Sequence, residues 1–326
     1  MILKLYNEKY MAILEVKNLN LGFQCEEIFR PALFDVSFSL EKGKMLSIVG
    51  ESGCGKTMSA MSILNLIPKT ARITSGEIIF NNENLLMKTQ KQMQHIRGTK
   101  IALIPQDPMT SLNPLYTIGN QLLEIIKIHQ NLTGVEAEKK AIEAFEAVQI
   151  PSAKSRLKNY PHEFSGGMKQ RAIIAMALCC NAEILIADEP TTALDVTIQA
   201  QIMHLLQDIK INNGTSILLI THDLALVREN SDEIAVMYSG RIVENAPNEE
   251  FFKNPMHPYS KALLKSIPSN RGEKLETIKG QPPTLSQKID GCKFHPRCEL
   301  CKEICTKEIP QLKTINQNHK CACHLY

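Results

Sequence analysis

Gly50-Glu51-Ser52-Gly53-Cys54-Gly55-Lys56-Thr57 decides how this chain is read. It follows the spacing Gly, four residues, Gly-Lys-Ser/Thr of a loop that cradles nucleotide phosphates. Glycines 50, 53 and 55 admit backbone conformations closed to residues with side chains, so successive N–H groups can turn inward around the β- and γ-phosphates. Lys56 adds a positive charge, the Thr57 hydroxyl can ligate Mg²⁺, and a helix opening near Lys56 points its positive dipole end at the anion. The flanks agree: Met45 to Val49 reads as a buried strand and Thr57 to Leu66 as a helix. A chance glycine turn would carry neither flank.

Upstream, residues 12–49 alternate apolar and polar positions, as in Ile13 to Lys17 and Leu33 to Leu40, the pattern of a half-exposed, antiparallel sheet. Phe23 follows the first of these runs and offers either a face for base stacking or an ordinary core contact. Downstream, Gly76 to Phe80 and Lys100 to Ile104 read as strands with a polar helical piece between them. Gln106 then stands on a proline-flanked loop at the end of the second strand. From Ile118 to Val148 the period turns helical, a helical insertion into an α/β core. Ser165-Gly166-Gly167 opens another apolar helix, running to about Cys180, whose free N–H groups make a second anion site.

Glu183 to Pro190 reads as a buried parallel strand ending in two carboxylates, Asp188 and Glu189. Asp188 suits an Mg²⁺-bridging role and Glu189 the polarising of an attacking water; the plain alternative is a solvated acidic loop. Ser216 to Thr221 repeats the strand pattern and ends in His222, at the position for a γ-phosphate contact.

The totals narrow the class. At 326 residues, 44% hydrophobic and 22% charged, the composition is that of a globular chain. Its longest apolar run, Ala172 to Cys180, falls far short of the ~20 residues a membrane span needs. The amino terminus has no sustained apolar core or small-residue cleavage site, so a cytoplasmic protein is expected. Met11 precedes the first strand pattern, which makes residues 1–10 a dispensable extension or a misassigned start. A net charge of +3 with no basic stripe among aromatics argues against nucleic acid. Of the 10 cysteines, Cys292, Cys298, Cys301, Cys305, Cys321 and Cys323 crowd the carboxyl terminus, a cluster that in a reducing compartment reads as a metal or iron–sulfur site.

Together these residues resemble the nucleotide-binding subunit of an ATP-binding cassette (ABC) transporter. Gly50 to Thr57 matches the family's Walker A loop, Gln106 the Q-loop glutamine, and Ser165-Gly166-Gly167-Met168-Lys169-Gln170 the family signature. Ile184 to Glu189 matches the Walker B strand with its catalytic glutamate, Ala193-Leu194-Asp195 the D-loop, and His222 the switch histidine. The resemblance implies an α/β fold: a P-loop NTPase core in residues 1–250, with an antiparallel β subdomain and a helical subdomain at about 107–180. A small Cys-rich extension, 251–326, follows.

It further implies ATP and Mg²⁺ as cofactors. Phe23, Gly50 to Thr57, Gln106, Ser165, Gly166, Gly167, Asp195 and His222 would touch ATP; Thr57, Gln106 and Asp188 would hold Mg²⁺; Glu189, His222 and Gln106 would act in hydrolysis. Two such domains pair head to tail, so the chain needs a second ATPase subunit, identical or related.

A narrower similarity, to di- and oligopeptide import ATPases, a group that includes nickel importers, lies in Gln106 to Pro114, Asn254 to Pro268 and Gly291 to Cys298, with Cys305 and Cys323-His324. It implies uptake of peptides through two permease subunits at the cytoplasmic face of the membrane, fed indirectly by an extracytoplasmic solute-binding protein. Nickel is the alternative cargo, and a soluble ATPase acting on nucleic acid or ribosomes the alternative class. In this group Cys292, Cys298, Cys305 and Cys323 are associated with a [4Fe–4S] cluster. Cys301 and Cys321 are additional here and complete pairs that suit a tetrahedral Zn²⁺ site instead.

Overall fold

The computed structural model describes residues 12–192, 194–266, 278–316 and 318–326. Residues 1–11, with both candidate start methionines, Ala193 of the D-loop match and Ile267-Pro268 of the importer-like stretch lie outside the described residues. The chain divides into two compact units, one of residues 1–88 and 220–326, the other of 89–219.

The first unit begins with β1 (Ala12–Cys25) and β2 (Ile28–Glu41), an antiparallel pair whose register includes Val16 opposite Phe38. Alternate side chains turn inward, so Leu14, Val16, Leu19 and Leu21 are buried. β1 outruns the Ile13–Lys17 pattern because the chain passes through Asn18, at φ 47, and a register shift before it resumes pairing. Phe23 therefore lies inside β1, opposite Arg30 and Ala71, not after the strand. β3 (Met45–Val49) is buried throughout and leads through the phosphate loop into α1 (Lys56–Ile63), which ends before the expected Leu66. β4 (Ala71–Phe80) and β5 (Glu83–Asn84) complete the sheet of order β2-β1-β4-β5.

In the second unit, α2 (Gln90–Ile96) opens with a Thr89–Gln92 capping box. β6 (Ile101–Ile104) pairs in parallel with β7 (Ile184–Asp188), Ile101 opposite Ile184. Between them run α3 (Ile118–Gln130), α4 (Gly134–Ala147) and α5 (Gly166–Leu178), the expected helical insertion. Gly119 lets α3 approach the backbone closely, since a Cβ there would meet the Leu157 carbonyl oxygen at 2.3 Å. Arg171, buried on α5, donates to the Val148 carbonyl at 2.6 Å and to Gln201 at 2.7 Å on α6 (Val196–Asn213). β8 (Ser216–Thr221) follows.

The first unit then resumes with α7 (Leu224–Asn230), β9 (Glu233–Tyr238), β10 (Arg241–Pro247), α8 (Asn248–Lys253) and α9 (Pro258–Lys265). α10 (Glu303–Lys307), β11 (Lys313–Asn316) and β12 (His319–Cys321) form the tail. Here the strand order is β11-β12-β10-β9-β3, so tail and phosphate-loop strand share one sheet. β3 and β9 are parallel, Val49 opposite Val236. No helix among the described residues is long and apolar enough to cross a membrane.

Glu244 on β10 is fully buried and accepts from the Met256 amide at 2.7 Å, the His257 amide at 2.8 Å and His319 Nε2 at 2.7 Å. Burial pushes its carboxyl up, but these hydrogen bonds outweigh it and hold the group below the usual carboxylate range. His257 caps α9, its Nδ1 accepting from the Tyr259 amide at 3.0 Å. Burial drives this imidazole down to about 4, with the Glu244 charge opposing. Between pH 6.5 and about 4 the unfolded chain takes up a proton at His257 that the fold refuses, so stability falls by up to about 3 kcal/mol as pH drops through that window. His257→Asn keeps an acceptor at the cap and cannot titrate. Urea unfolding of this variant at stepped pH is expected to show a shallower loss from pH 6.5 to 4, while the loss that sets in near pH 4.5 and continues below it, from Glu244, persists.

Candidate functional site

The first unit carries the phosphate loop. Gly50 sits at φ 156 with no room for a Cβ, which would lie 2.2 Å from the Met237 carbonyl oxygen on β9. Gly55, at φ 109, is the left-handed residue before α1, and a Cβ there would lie 2.6 Å from Leu33 Cδ2. These two glycines let the loop leave one strand and enter a helix while pressed against both sheets. Lys56 is buried and its ammonium donates to the carbonyls of Gly50 at 2.9 Å and Glu51 at 3.1 Å. The Cys54 thiol beside it is pushed up by burial against the pull of Lys56. Ser52, Gly53 and Glu51 line a cavity of about 370 Å³ with Phe34, Pro282 and Leu285. His222 is exposed just after β8, and Asp223 beside it caps α7, accepting from Ala225 at 2.9 Å.

The second unit carries the acidic strand end. Asp188 terminates β7 and is 1% exposed. Glu189 follows at φ 46, a left-handed conformation that costs a residue of its kind roughly 1–3 kcal/mol and accumulates at functional sites. Its carboxylate accepts from Gln106 Nε2 at 3.0 Å and from the Thr192 hydroxyl at 3.0 Å. Two residues 83 positions apart, singled out separately in the sequence, thus meet. Ser165 caps α5, its hydroxyl accepting from the Met168 amide at 3.3 Å. Asp195 caps α6 in the same way, accepting from Ile198 at 2.9 Å. Gly167 packs where a Cβ would fall 2.9 Å from Ile198, so the Ser-Gly-Gly turn has a packing reason as well as an electrostatic one.

The tail brings several cysteines near one another. The Cys292 amide donates to the Cys305 carbonyl at 2.8 Å. Burial, with a smaller push from Cys305, Cys323 and Cys298, raises the Cys292 thiol to about 11. Those four lie within electrostatic reach of one another; Cys301, though exposed, is within the same reach of Cys298 and Cys305, and Cys321, buried on β12 and paired with Glu244, of Cys292 and Cys323. Among the described residues no three of His, Cys, Asp and Glu stand in the spacing of a metal ion. The expected Zn²⁺ pairs, Cys298 with Cys301 and Cys321 with Cys323, are therefore not assembled as a single-ion site.

Sequence reasoning gave no role to Arg297 or Tyr259. Arg297 meets the Glu51 carboxylate with two hydrogen bonds, 2.7 and 3.0 Å, and the Tyr259 hydroxyl accepts from the Glu51 amide at 2.9 Å. The available signal was a Pro-Arg pair between cysteines, with nothing in it to name a partner so distant.

A phosphate loop between strand and helix, a parallel strand ending in Asp-Glu, and a glutamine held on that glutamate define an ATPase of the ATP-binding cassette class. The family described as ABC transporter matches residues 33–192, and that described as oligopeptide/dipeptide transporter, C-terminal region, matches 243–305. The chain is 48% identical to a probable peptide ABC transporter ATP-binding protein of Sinorhizobium fredii, over 97% of this chain and 96% of that one. It is 45% identical to the oligopeptide transport ATP-binding protein of Escherichia coli, over 92% and 89%. A dimeric ATP-binding cassette solved in a post-hydrolysis state with ADP and Pi has a TM-score of 0.65, at 27% identity, and covers 72% of this chain and 98% of its own. This chain belongs to the ABC transporter ATP-binding proteins, in the branch that carries the oligopeptide/dipeptide C-terminal region.

Gly50→Ala tests the loop geometry. With a backbone oxygen on one side, the new methyl forces the strand apart, and denaturant unfolding is expected to show a loss of about 2 kcal/mol or more. Gly53→Ala, which meets nothing within 4 Å, is the control, with a smaller loss from its positive φ alone.

Proposed function

We propose that this chain is the ATP-hydrolysing subunit of an importer that moves di- and oligopeptides across the cytoplasmic membrane. The observation that carries the reading is the Gln106–Glu189 hydrogen bond. It ties the glutamine matched to the Q-loop to the carboxylate assigned to the attacking water, so that a displacement of one is felt at the other. Relatives matching nearly the whole chain, and named for peptide transport, support the cargo.

In this reading Lys56 holds the phosphates, Thr57, Gln106 and Asp188 hold Mg²⁺, Glu189 polarises water and His222 meets the γ-phosphate. Positioning and charge stabilisation then supply most of the rate. Phe23 stacks on the base. Ser165, Gly166, Gly167 and Asp195 close on the ATP of a second ATPase subunit. Residues 1–250 form the cassette and 251–326 the extension. The chain works at the cytoplasmic face, held by two permease subunits, with a solute-binding protein delivering peptide from outside.

For the tail, the donor set is thiols, the ligands that a [4Fe–4S] cluster takes. The resemblance associates these same four thiols, Cys292, Cys298, Cys305 and Cys323, with a cluster, which favours it over Zn²⁺ for them. Bound there, it would staple the tail covalently. Iron and sulfide analysis of anaerobically purified protein is expected to find both; their absence, with or without zinc, removes the cluster.

Glu189→Gln is expected to retain ATP binding while kcat falls by about 10²–10⁴, the range for loss of a general base; unchanged turnover would free Glu189 from that role. Assembled in lipid with its permease subunits and binding protein, the wild-type chain is expected to hydrolyse ATP faster when short peptides are added. Stimulation by nickel alone would replace peptide as the cargo.

A further inference from the structure

We propose that Arg297 is a positioning residue for the phosphate loop, by which the cysteine-flanked tail sets the affinity for nucleotide. The proposal rests on reading Gly50 to Thr57 as the nucleotide site.

Arginine has five N–H donors in a fixed fork, and here each has an acceptor. Nε donates to the Lys279 carbonyl at 3.0 Å. One terminal nitrogen donates to Glu51 Oε2 at 2.7 Å and to the Tyr238 hydroxyl at 3.3 Å. The other donates to Glu51 Oε1 at 3.0 Å and to the Gly280 carbonyl at 3.2 Å. The side chain is 5% exposed and that of Glu51 25%. Its guanidinium also lies over the rings of Tyr238 and Phe294, at 5.8 and 6.0 Å from their centroids. A group so fully satisfied has one geometry, unlike a surface ion pair that costs side-chain entropy for little return.

Glu51 is held from three directions. Its carboxylate is on Arg297, its amide on the Tyr259 hydroxyl, and its carbonyl on Lys56 Nζ at 3.1 Å. Fixing both peptide groups of Glu51 fixes where the amides of Ser52 to Lys56 begin their turn, and phosphate affinity depends on that preorganisation. The lock is built on residues of the tail and its approach: Tyr259 on α9, and Phe294 and Arg297 between Cys292 and Cys298. Tyr238, Tyr259 and Phe294 pack ring to ring, 4.6 to 5.4 Å between centroids, and fix the relation of the three. A mere staple for the tail needs the carboxylate pair and has no use for the Tyr259 contact to the loop amide.

The test is the Kd for MgATP of the full chain, measured by calorimetry, for Arg297→Ala, Tyr259→Phe, Glu51→Ala and the Arg297→Ala/Glu51→Ala double variant, with Lys56→Ala as the control for the site itself. Arg297→Ala is expected to weaken binding about tenfold or more, since it leaves a carboxylate unpaired beside the loop. The double variant is expected to be no weaker than the worse single one, because Arg297 acts through Glu51. Wild-type affinity in Arg297→Ala, with Lys56→Ala impaired, would make the pair a structural staple and overturn the proposal. Wild-type affinity in Lys56→Ala would overturn the nucleotide-site reading and the proposal with it. Should Arg297→Ala not fold, Tyr259→Phe decides: it removes only the hydroxyl on the Glu51 amide, and severalfold weaker binding supports the lock while unchanged binding overturns it.

Discussion

A carboxylate with no solvent exposure needs donors on both oxygens, and at Glu244 that requirement organises the tail. Its partners come from two places in the sequence: the amides of Met256 and His257 in the stretch before α9, and His319 on the strand that pairs with β10. Meeting them seats α9 by its amino end, since the His257 ring that caps the helix is fixed through its own amide. α9 in turn presents Tyr259, and the aromatic packing around it seats Phe294 and, three residues on, Arg297. A buried charge on β10 is thus linked, through caps and rings, to the second residue of the phosphate loop.

The two halves of the candidate machinery are built on different principles. In the first unit the loop relies on the absence of side chains, because glycines at 50 and 55 stand against a carbonyl and a leucine methyl. In the second, Glu189 keeps its side chain in a backbone conformation that disfavours one, and two hydrogen bonds to its carboxylate hold the residue there. Conformational freedom serves where phosphate must be surrounded by amides. Strain serves where one carboxylate has to point in one direction.

The local parts of this arrangement were legible in the sequence, since strand, glycine loop and helix are decided by neighbours within a few positions. The buried runs before Gly50 and before Glu189, and the helix opening at Ser165-Gly166-Gly167, all stand as expected. Ends were less legible: α1 stops at Ile63 and α5 at Leu178, short of the apolar runs that suggested them. β1 runs on past the Ile13–Lys17 pattern because Asn18, at φ 47, marks an irregularity within pairing and not the end of a strand. What could not be read was long-range: periodicity says which face of an element is buried but not against what. Arg297 and Glu51, or His319 and Glu244, are joined only by the fold. The tail cysteines were visible as a cluster, but which of them the fold exposes, as it does Cys301, and which it buries in a strand, as it does Cys321, depends on backbone paths that spacing does not encode.

The first unit is discontinuous, and this bears on the order in which the molecule can be completed. Residues 89–219 are contiguous and contain all the pairing between β6 and β7, so they can acquire their fold as soon as they leave the ribosome. The phosphate loop is synthesised earlier but finds its β9 neighbour only after that whole segment has emerged, and Arg297 reaches Glu51 from 246 positions further along. Every nascent chain therefore carries the loop for most of its synthesis without its contacts to β9, Tyr259 and Arg297. Competence for nucleotide comes last, after the helical surfaces of the second unit have already formed.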